Sequence, residues 1–527
     1  MTAGSVDDAA RIGSGLADAP TEVDVLVIGL GVTGAGVALD AASRGLSVLA
    51  VDAHDLAFGT SRWSSKLVHG GLRYLAKGQL GVAHESAVER GILMEVTAPH
   101  LSHPLPMLLP LTAAVSRTQG RLARAGLAAG DLLRRGARTS ASTLPRPRRL
   151  SATETLELAP GVRRSGLRGG LLSWDGQLED DARLVTCLAR TAAAHGAVVR
   201  TRARVLSATG TSATLRDELT GATVDVTARA VISAAGVWAG SLAPELRLRP
   251  SRGTHLVLRA DAIPELRVAL TIPVPGESNR FLLVLPQPDG TIYVGLTDEP
   301  VEGPIPDVPS ASEAEIGFLL DVVGSALERP LRRTDVAGVY AGLRPLLDTG
   351  DGRTADLSRS HAVLTSPTGS ATGLVTVVGG KLTTYRRMAQ DAVDAALVAA
   401  GLPARPCVTA RLPLLGAASR SALAALPEPA RLVRRYGTEA SLVLANARAV
   451  TGRSGAELAD DELLAPIAPG VPVTLAELIF GVTHEGAVSV DDLLDRRTRV
   501  GLIQADRAAA LPAAERALSL AGRPHPR

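Results

Sequence analysis

The 527-residue chain has only two cysteines, Cys187 and Cys407, which is too few for a disulfide framework and favours a reducing compartment. Lysine and aromatic residues are also scarce, with three lysines among 56 basic residues and twelve aromatic side chains. The net charge of +3 does not by itself indicate a nucleic-acid partner. The longest stretch without Asp, Glu, Lys or Arg, residues 96–116, contains four prolines, so we predict no membrane-spanning helix.

The length and composition predict a globular protein of about three domains. Residues 1–20 lack an apolar block, which predicts a disordered tail and not a signal peptide. Ser151 with Glu154, and Thr474 with Glu477, have the spacing of capping boxes that begin helices. From about Arg386 onward the pattern is that of successive amphipathic helices.

Residues 115–150 form a basic insertion with nine arginines and one acid, Asp131. We interpret it first as a solvated, partly disordered connector. A second interpretation is a peripheral patch that contacts anionic lipid, since Arg117, Arg121 and Arg124 have helical spacing. RNA binding is a third interpretation, weakened because no aromatic residues interleave with the arginines.

Residues 24–52 have the pattern of a nucleotide-binding βαβ unit. An apolar strand over 23–28 leads into a complete GxGxxG turn, a helix from Val32 to about Arg44, and a second strand that ends at Asp52. The glycines allow a tight turn and close backbone approach to a pyrophosphate, and the acid suits ribose hydroxyls. We therefore predict a dinucleotide site that includes Gly29, Leu30, Gly31, Val32, Thr33, Gly34 and Asp52.

Two later strand ends favour FAD over NAD as the dinucleotide. Residues 230–234 run into Ala235 and Gly236, and residues 374–378 run into Gly379 and Gly380. Small residues at strand ends let the backbone approach a second, larger part of a cofactor, such as an isoalloxazine ring. An ordinary strand–turn junction is the alternative for each segment.

The segment after Asp52, FGTSRWSSKLVHGGLRYL (58–75), is rich in hydroxyl and cationic side chains suited to diphosphate and a small anionic substrate. With it, the chain resembles FAD-dependent glycerol-3-phosphate dehydrogenases, the quinone-linked aerobic enzymes, over about residues 22–503. The other matching stretches are WDGQLEDDARL (174–184), VISAAGVWAG (231–240), RGTHLVL (252–258), YVGLTDEP (293–300), YAGLRPLL (340–347), VVGGKLTTYR (377–386), RYGTEA (435–440) and RRTRVGL (496–502).

The resemblance implies a set of site residues. It implies His255, Arg344 and Lys381 as catalytic residues, with His255 as the base, and it implies that Arg73, Tyr74 and Thr297 bind the substrate. It suggests that Asp180 and Asp181 cap a helix that begins near Ala182 and do not act as paired catalytic carboxylates. Beyond the glycine turn and Asp52, the implied cofactor contacts are Thr60, Ser61, Ser64, Lys66, Leu67, His69, Gly70, Gly71, Val205, Gly236, Gly380, Leu382 and Thr383.

The fold expected is an α/β Rossmann-like FAD-binding domain (21–245 and 340–390), an α+β substrate domain with an antiparallel sheet (246–339), and a C-terminal helical domain (391–527). The expected reaction is oxidation of sn-glycerol 3-phosphate to dihydroxyacetone phosphate by hydride transfer to flavin N5, with a quinone as acceptor. A flavin-dependent oxidase of an amino acid or other small substrate, an RNA-modifying flavoprotein and a non-catalytic flavin-binding scaffold are the alternatives.

We expect no metal site, no nucleic-acid partner and a cytoplasmic location, and the sequence leaves open whether the chain also contacts the inner face of the cytoplasmic membrane. The sequence leaves the oligomeric state open, a dimer included.

Overall fold

The computed structural model describes residues 10–71, 74, 78–277, 280–348, 360–366, 373–403 and 405–523. Its strands are β1 (Gly13–Ser14), β2 (Glu22–Ile28), β3 (Val48–Val51), β4 (Leu67–Val68), β5 (Ser102–Pro110), β6 (Arg148–Leu150), β7 (Gly170–Leu178), β8 (Val198–Thr201), β9 (Ala203–Ala208), β10 (Ser212–Asp217), β11 (Thr223–Ser233), β12 (Ser251–Arg259), β13 (Ala269–Pro273), β14 (Phe281–Pro286), β15 (Thr291–Gly295), β16 (Glu299–Pro300), β17 (Val336–Arg344), β18 (His361–Ser366), β19 (Leu374–Gly379), β20 (Pro466–Ala468) and β21 (Val471–Thr474).

The α-helices of the described residues are α1 (Val32–Ser43), α2 (Leu80–Ile92), α3 (Arg117–Gly136), α4 (Ala152–Leu158), α5 (Asp181–Ala194), α6 (Glu313–Ala326), α7 (Tyr385–Ala399), α8 (Arg420–Ala424), α9 (Ala430–Tyr436), α10 (Ala440–Arg453), α11 (Asp460–Leu464), α12 (Leu475–Thr483) and α13 (Gln504–Leu520). Capping boxes begin α4 at Ser151 and α12 at Thr474, which confirms both predictions.

The first sheet forms the nucleotide-binding half of the fold. Strands β1, β8, β3, β2, β11 and β19 are parallel in that order, and β9–β10–β11 form an antiparallel meander. Helices α1, α5 and α7 bury their apolar faces on one side of this sheet, and the meander packs on the other side. Because parallel strands are covered on both faces, their sequences are continuous apolar runs, as in residues 25–28.

The second sheet is largely antiparallel and lies across the cavity described below. Its order is β16–β12–β15–β14–β13–β5–β7–β4, with β17 paired to β12 and β6 to β7. Helix α6 covers one face through an apolar cluster that includes Leu256 and Leu258 of β12. Because side chains alternate along a strand, the intervening residues of β12 face the opposite side, where His255 lies.

Sheet membership departs from the predicted domain limits. Strands β4, β5, β6 and β7 fall within the predicted FAD-binding range 21–245, yet they pair in the second sheet. The sequence pattern hid this because β5 is proline-rich and its neighbours β7 and β13 lie far along the chain. The domain limits themselves stay predictions.

The C-terminal helices form a third core of their own, in which Phe480 and Leu478 are fully buried. Buried ion pairs join this part to the nucleotide-binding half. The Asp55 carboxylate accepts from Arg496 Nε at 2.6 Å and Arg497 Nη1 at 2.8 Å. Because loss of one partner of a buried ion pair leaves an uncompensated charge, these contacts fix the position of the C-terminal helices against the nucleotide-binding half.

Two expectations about irregular segments are wrong. Residues 10–20 do not form a disordered tail, since Ala10 and Ile12 are buried and β1 pairs with β8; residues 1–9 lie outside the described residues. The basic insertion is not a partly disordered connector over 117–136, where α3 begins with a Ser116–Gln119 capping box. The helical spacing of its arginines is confirmed. Within the described residues, no helix is both long and apolar enough to cross a bilayer.

Candidate active site

A cavity of about 590 Å³ lies between the two sheets, at the carboxyl ends of β2, β11 and β19. Its volume is within the range of roughly 300–1,000 Å³ that is usual for ligand and cofactor sites. The walls come from the glycine turn, residues 52–54, most of residues 58–69, the end of β11, strands β12 and β17, and residues 377–383. Ligands of open α/β sheets bind at this edge, so the position is that of a dinucleotide site.

The glycine turn has the backbone geometry that its sequence predicts. Gly29 has φ of 97°, and a Cβ at Gly34 would lie 1.7 Å from the carbonyl oxygen of Gly29. A side chain at position 34 would therefore push α1 away from β2. At the start of α1 the Val32 N–H donates to Ser61 Oγ at 2.9 Å, so Ser61 lies where a helix N-terminus favours an anion.

Asp52 lies at the end of β3 and faces the cavity. Its carboxylate accepts from the N–H of Leu30 and the N–H of His54, both at 2.8 Å. Burial raises the pKa of Asp52 to about 6, although the two N–H groups oppose the rise. An acid fixed in this way beside the turn suits the ribose hydroxyls of an adenine dinucleotide.

Most of the predicted cofactor residues converge on this cavity, so the residues present fit FAD. The predicted cofactor residues that line it are Gly29, Gly31, Val32, Thr33, Asp52, Thr60, Ser61, Ser64, Leu67, His69, Val205, Gly236, Gly380, Leu382 and Thr383. Leu30 contributes its N–H to Asp52, and Gly34, Gly70 and Gly71 lie behind the lining. These assignments stay proposals about an FAD contact.

Lys66 is placed differently from its prediction as a cofactor contact. Its ammonium is fully buried, pairs with Asp181 Oδ2 at 2.9 Å, and donates to the carbonyl of Arg62 at 2.7 Å. Burial lowers the pKa of Lys66, and the Asp181 carboxylate opposes that effect. Asp180 caps α5 as predicted by accepting from the N–H groups of Ala182 and Arg183, but the Asp181–Lys66 pair was not predicted.

His255 and Tyr340 lie side by side where β12 pairs with β17. Their rings stack, with centroids 4.7 Å apart and planes 10° from parallel. His255 lines the cavity but is only 1% exposed, and its Nε2 lies 2.8 Å from Ser65 Oγ. Burial above all, then the charges of Lys66 and Arg344, lower the pKa of His255 well below 6.5. The ring is therefore uncharged at neutral pH.

Arg344, at the end of β17, also lines the cavity. Its guanidinium donates to Ser251 Oγ at 3.1 Å and to Asp298 Oδ1 at 3.3 Å. These contacts hold a planar cationic fork at the cavity wall, and such a fork binds phosphate or carboxylate in bidentate fashion. Thr297, predicted to bind substrate, donates its hydroxyl to Glu315 instead and lies behind the lining.

Lys381 follows β19 and brings a second cation to the wall. Its ammonium donates to Ser86 Oγ at 2.7 Å and lies 3.9 Å from the centroid of the Tyr74 ring. Tyr74 therefore contacts Lys381 and is not itself among the residues that line the cavity. Arg73, the remaining predicted substrate residue, lies outside the described residues.

His69 connects this wall to the second sheet. Its backbone N–H donates to Thr383 Oγ1 at 3.0 Å, and its Nδ1 lies 3.7 Å from Asp175 Oδ2. Asp175 also accepts from Arg90 Nη1 at 2.7 Å. Among the residues that the structure describes, no group of three or more His, Cys, Asp or Glu side chains could hold a metal ion.

The predicted site residues leave out several polar or aromatic side chains of the site. Among them are Trp63 and Ser65 in the cavity lining, Asp298 next to Arg344, and Ser86 next to Lys381. Ser65 and Trp63 belong to the donor-rich segment 58–75, so the sequence around them could have indicated a role in the site. Nothing in the sequence indicated such a role for Ser86, because it lies within an ordinary amphipathic helix.

Comparisons with known proteins identify the family and the fold. Residues 24–386 match the family described as FAD dependent oxidoreductase, and residues 407–524 match the C-terminal domain of alpha-glycerophosphate oxidase. Glycerol-3-phosphate dehydrogenase 1 of Mycobacterium tuberculosis is 55% identical over 506 residues, which cover 94% of this chain and 95% of that protein. A mitochondrial glycerol-3-phosphate dehydrogenase of Arabidopsis thaliana is 36% identical, covering 94% of this chain and 82% of that protein.

Among solved structures, the glycerol-3-phosphate dehydrogenase of Bacillus halodurans, complexed with FAD, is 28% identical with a TM-score of 0.71 and covers 96% of this chain and 92% of that one. The L-alpha-glycerophosphate oxidase of Mycoplasma pneumoniae, 18% identical with a TM-score of 0.56 over 75% of this chain and 99% of that one, shares the fold. The family match over most of the chain and the 55% identity to a full-length relative show that this chain belongs to the FAD-dependent glycerol-3-phosphate dehydrogenases.

Proposed function

We propose that this chain oxidises sn-glycerol 3-phosphate to dihydroxyacetone phosphate and passes the electrons to a quinone. The observation that carries the proposal is the convergence of Arg344, Lys381 and His255 on one cavity in a chain of this family. Bound FAD supplies the acceptor for the hydride that leaves carbon 2 of the substrate. The remaining work falls to side chains of the cavity wall.

Each wall residue has a role that its geometry supports. The substrate phosphate carries a charge of about −1.5 to −2, which the Arg344 fork binds. Lys381 stabilises negative charge on the oxygen that becomes the ketone, and His255 receives the hydroxyl proton because its ring is uncharged. Arg73 and Tyr74 are proposed to complete the substrate pocket.

Turnover assays test the substrate and the acceptor together. The holoenzyme should form dihydroxyacetone phosphate from glycerol 3-phosphate and reduce a soluble quinone analogue, with little hydrogen peroxide in air. If hydrogen peroxide formed in the same amount as dihydroxyacetone phosphate, the electron acceptor would be oxygen and not a quinone. Turnover of an amino acid without turnover of glycerol 3-phosphate would establish the alternative oxidase function.

We also propose that α3 contacts the anionic face of the cytoplasmic membrane. Its inner side packs through Ala123 and Leu127, whereas Leu122 and Leu132 are 71% and 65% exposed. Exposed arginines accompany these leucines, at positions 117, 121, 124 and 135. A face that mixes apolar and basic side chains suits the surface of an anionic bilayer.

Vesicle sedimentation tests this contact. Charge reversal at Arg121 and Arg124 should weaken binding to phosphatidylserine-containing vesicles by at least roughly fivefold per position, since each basic residue contributes about 1 kcal/mol. Arg453→Glu, on the exposed end of α10, is the matched control and should bind as the wild type does. Equal binding of all variants to the vesicles would exclude α3 as the membrane contact. If the wild-type protein bound RNA and not the vesicles, the RNA-linked alternative would be favoured.

A further inference from the structure

Ser65 lies between two residues whose positions are fixed by one buried carboxylate. Asp181 Oδ2 accepts from the N–H of Ser64 at 3.0 Å, from Ser64 Oγ at 2.7 Å, and from Lys66 Nζ at 2.9 Å. Lys66 has φ of 56°, a left-handed conformation that its buried ammonium contacts maintain. The backbone on both sides of Ser65 is thereby held, and Ser65 itself lines the cavity.

The His255 ring, which is the hydrogen-bond partner of Ser65, is held just as firmly. Tyr340 stacks on one face, and a Cβ at Gly295 would lie 2.2 Å from Cδ2 of the imidazole. Nδ1 is buried and has no hydrogen-bond partner among the described residues. The polar connection of this ring therefore runs through Nε2 to Ser65 Oγ, 2.8 Å away.

Exposure separates the two partners. His255 is 1% exposed, whereas Ser65 is partly exposed and lines the cavity. A general base must lie within about 2.6–3.2 Å of the heavy atom that carries the proton, or reach that atom through one bridging water molecule. The Ser65 hydroxyl takes the place of that water between the cavity and a base that is itself almost fully buried.

We propose that Ser65 is a further catalytic residue, whose hydroxyl carries the substrate's hydroxyl proton to Nε2 of His255. The inference rests on the proposed function. The substrate O–H bond breaks as an O–H bond forms at Ser65 Oγ, and the original Ser65 proton moves to Nε2. The serine hydroxyl is regenerated, the imidazole gains one proton, and the carbon 2 hydrogen leaves with its electron pair to the flavin as above.

The surroundings of His255 fit both receipt and release of this proton. Burial and the cations Lys66 and Arg344 lower the pKa of His255 and keep the ring uncharged, so one ring nitrogen has a free lone pair. The relay uses the tautomer in which that nitrogen is Nε2 and the Ser65 hydroxyl donates to it. The same cations repel the positively charged imidazolium. Because of this repulsion, the proton returns through Ser65 to the cavity once the ketone leaves. The ring is thus reset for the next turnover without a change in its stacked position.

Anaerobic rapid mixing of the holoenzyme with glycerol 3-phosphate tests the relay through the limiting rate of flavin bleaching. Ser65→Ala should lower that rate by about 100-fold, the lower range for removal of a proton-transfer group, with little change in the half-saturating substrate concentration. Ser65→Thr, which keeps a hydroxyl, should recover most of the rate. The double variant Ser65→Ala/His255→Asn should be no slower than the slower single variant, because both residues act on one proton.

Three outcomes would overturn the relay. Ser65→Ala could reduce its flavin within about threefold of the wild-type rate, well short of a proton-transfer effect. The two single losses could multiply in the double variant, or Ser65→Thr could remain as slow as Ser65→Ala. Ser173→Ala, in β7 outside the cavity lining, is the matched control, and FAD content is measured for every variant. A wild-type flavin that glycerol 3-phosphate does not bleach would instead overturn the proposed function, and the relay with it.

Discussion

The glycine turn on one side of the cavity comes from residues 24–52, whereas the facing wall takes side chains from β12, β17 and the segment after β19. The turn works through backbone N–H groups and the absence of side chains at Gly29 and Gly34. The wall works through His255, Arg344 and Lys381, each held by a partner from another segment. The turn is consequently sensitive to added atoms, and the wall is sensitive to lost partners.

Gly34→Ala should have the largest effect and tests the steric half of this comparison. The new Cβ would meet the Gly29 carbonyl at 1.7 Å, and backbone cannot yield as a side chain does. Overpacking costs roughly 1–3 kcal/mol where neighbours can shift, so we expect FAD affinity to fall by at least about 100-fold here. FAD content after purification and titration of the apoprotein measure the change.

Gly126→Ala is the control for that substitution, because nothing lies within 4 Å of a Cβ at that position of α3. It should retain FAD fully. Full FAD content in Gly34→Ala would show that the turn tolerates a side chain and would remove the steric argument.

Asp181→Asn tests whether the region beneath the wall depends on a buried partner. Asp181 and Lys66 are both 0% exposed, and loss of one member of such a pair typically costs about 3–5 kcal/mol. We expect urea denaturation to show a decrease of that size in the free energy of unfolding. Asp460→Asn breaks the Arg448 pair at the exposed surface and should cost less than about 1 kcal/mol. Equal losses in the two variants would contradict the assignment.

Arg344→Ala tests the wall itself. The substitution removes the phosphate-binding fork and leaves Asp298 beside the cavity, so KM for glycerol 3-phosphate should rise by about 100-fold, consistent with roughly 2–5 kcal/mol for a buried charge partner. Arg333→Ala, which breaks an exposed pair with Glu313, should leave KM unchanged. Unchanged KM in Arg344→Ala would remove this residue from the substrate pocket.

The smallest expected effect is the response of flavin reduction to pH. Because burial, Lys66 and Arg344 lower the pKa of His255, the uncharged base persists as the pH falls through 6.5. The limiting rate should therefore stay level across that value and decline only at clearly lower pH. Stopped-flow bleaching at several pH values, with FAD retention checked at each, measures this. A half-maximal rate near 6.5 would indicate an ordinary, solvent-exposed histidine.

The sequence predicted the local half of the site more completely than the distant half. The βαβ unit and both capping boxes were confirmed because spacing within a few residues determines them. The Ser65–His255 contact joins residues 190 positions apart, and Lys66–Asp181 joins residues 115 apart. Only the pairing of whole strands and helices brings such residues together. Family resemblance supplied His255 and Arg344, but not the partners that hold them.

The same reasoning explains the errors. Residues 10–14 are too few to show a pattern, yet Ile12 donates its N–H to the carbonyl of His484 in the C-terminal part at 3.1 Å. Strand β5 contains prolines that disguise a strand in sequence, although β7 pairs along its whole length. Tertiary contacts decide both segments.

Addition of glycerol 3-phosphate to the oxygen-free holoenzyme tests the central claim most directly. If cations that are distant in sequence line one wall and bind a three-carbon phosphate beside the flavin, the visible flavin band should bleach on the time scale of rapid mixing. Glycerol, which lacks the phosphate, should bleach the band far more slowly. A band that persists with glycerol 3-phosphate but disappears with an amino acid would contradict the account.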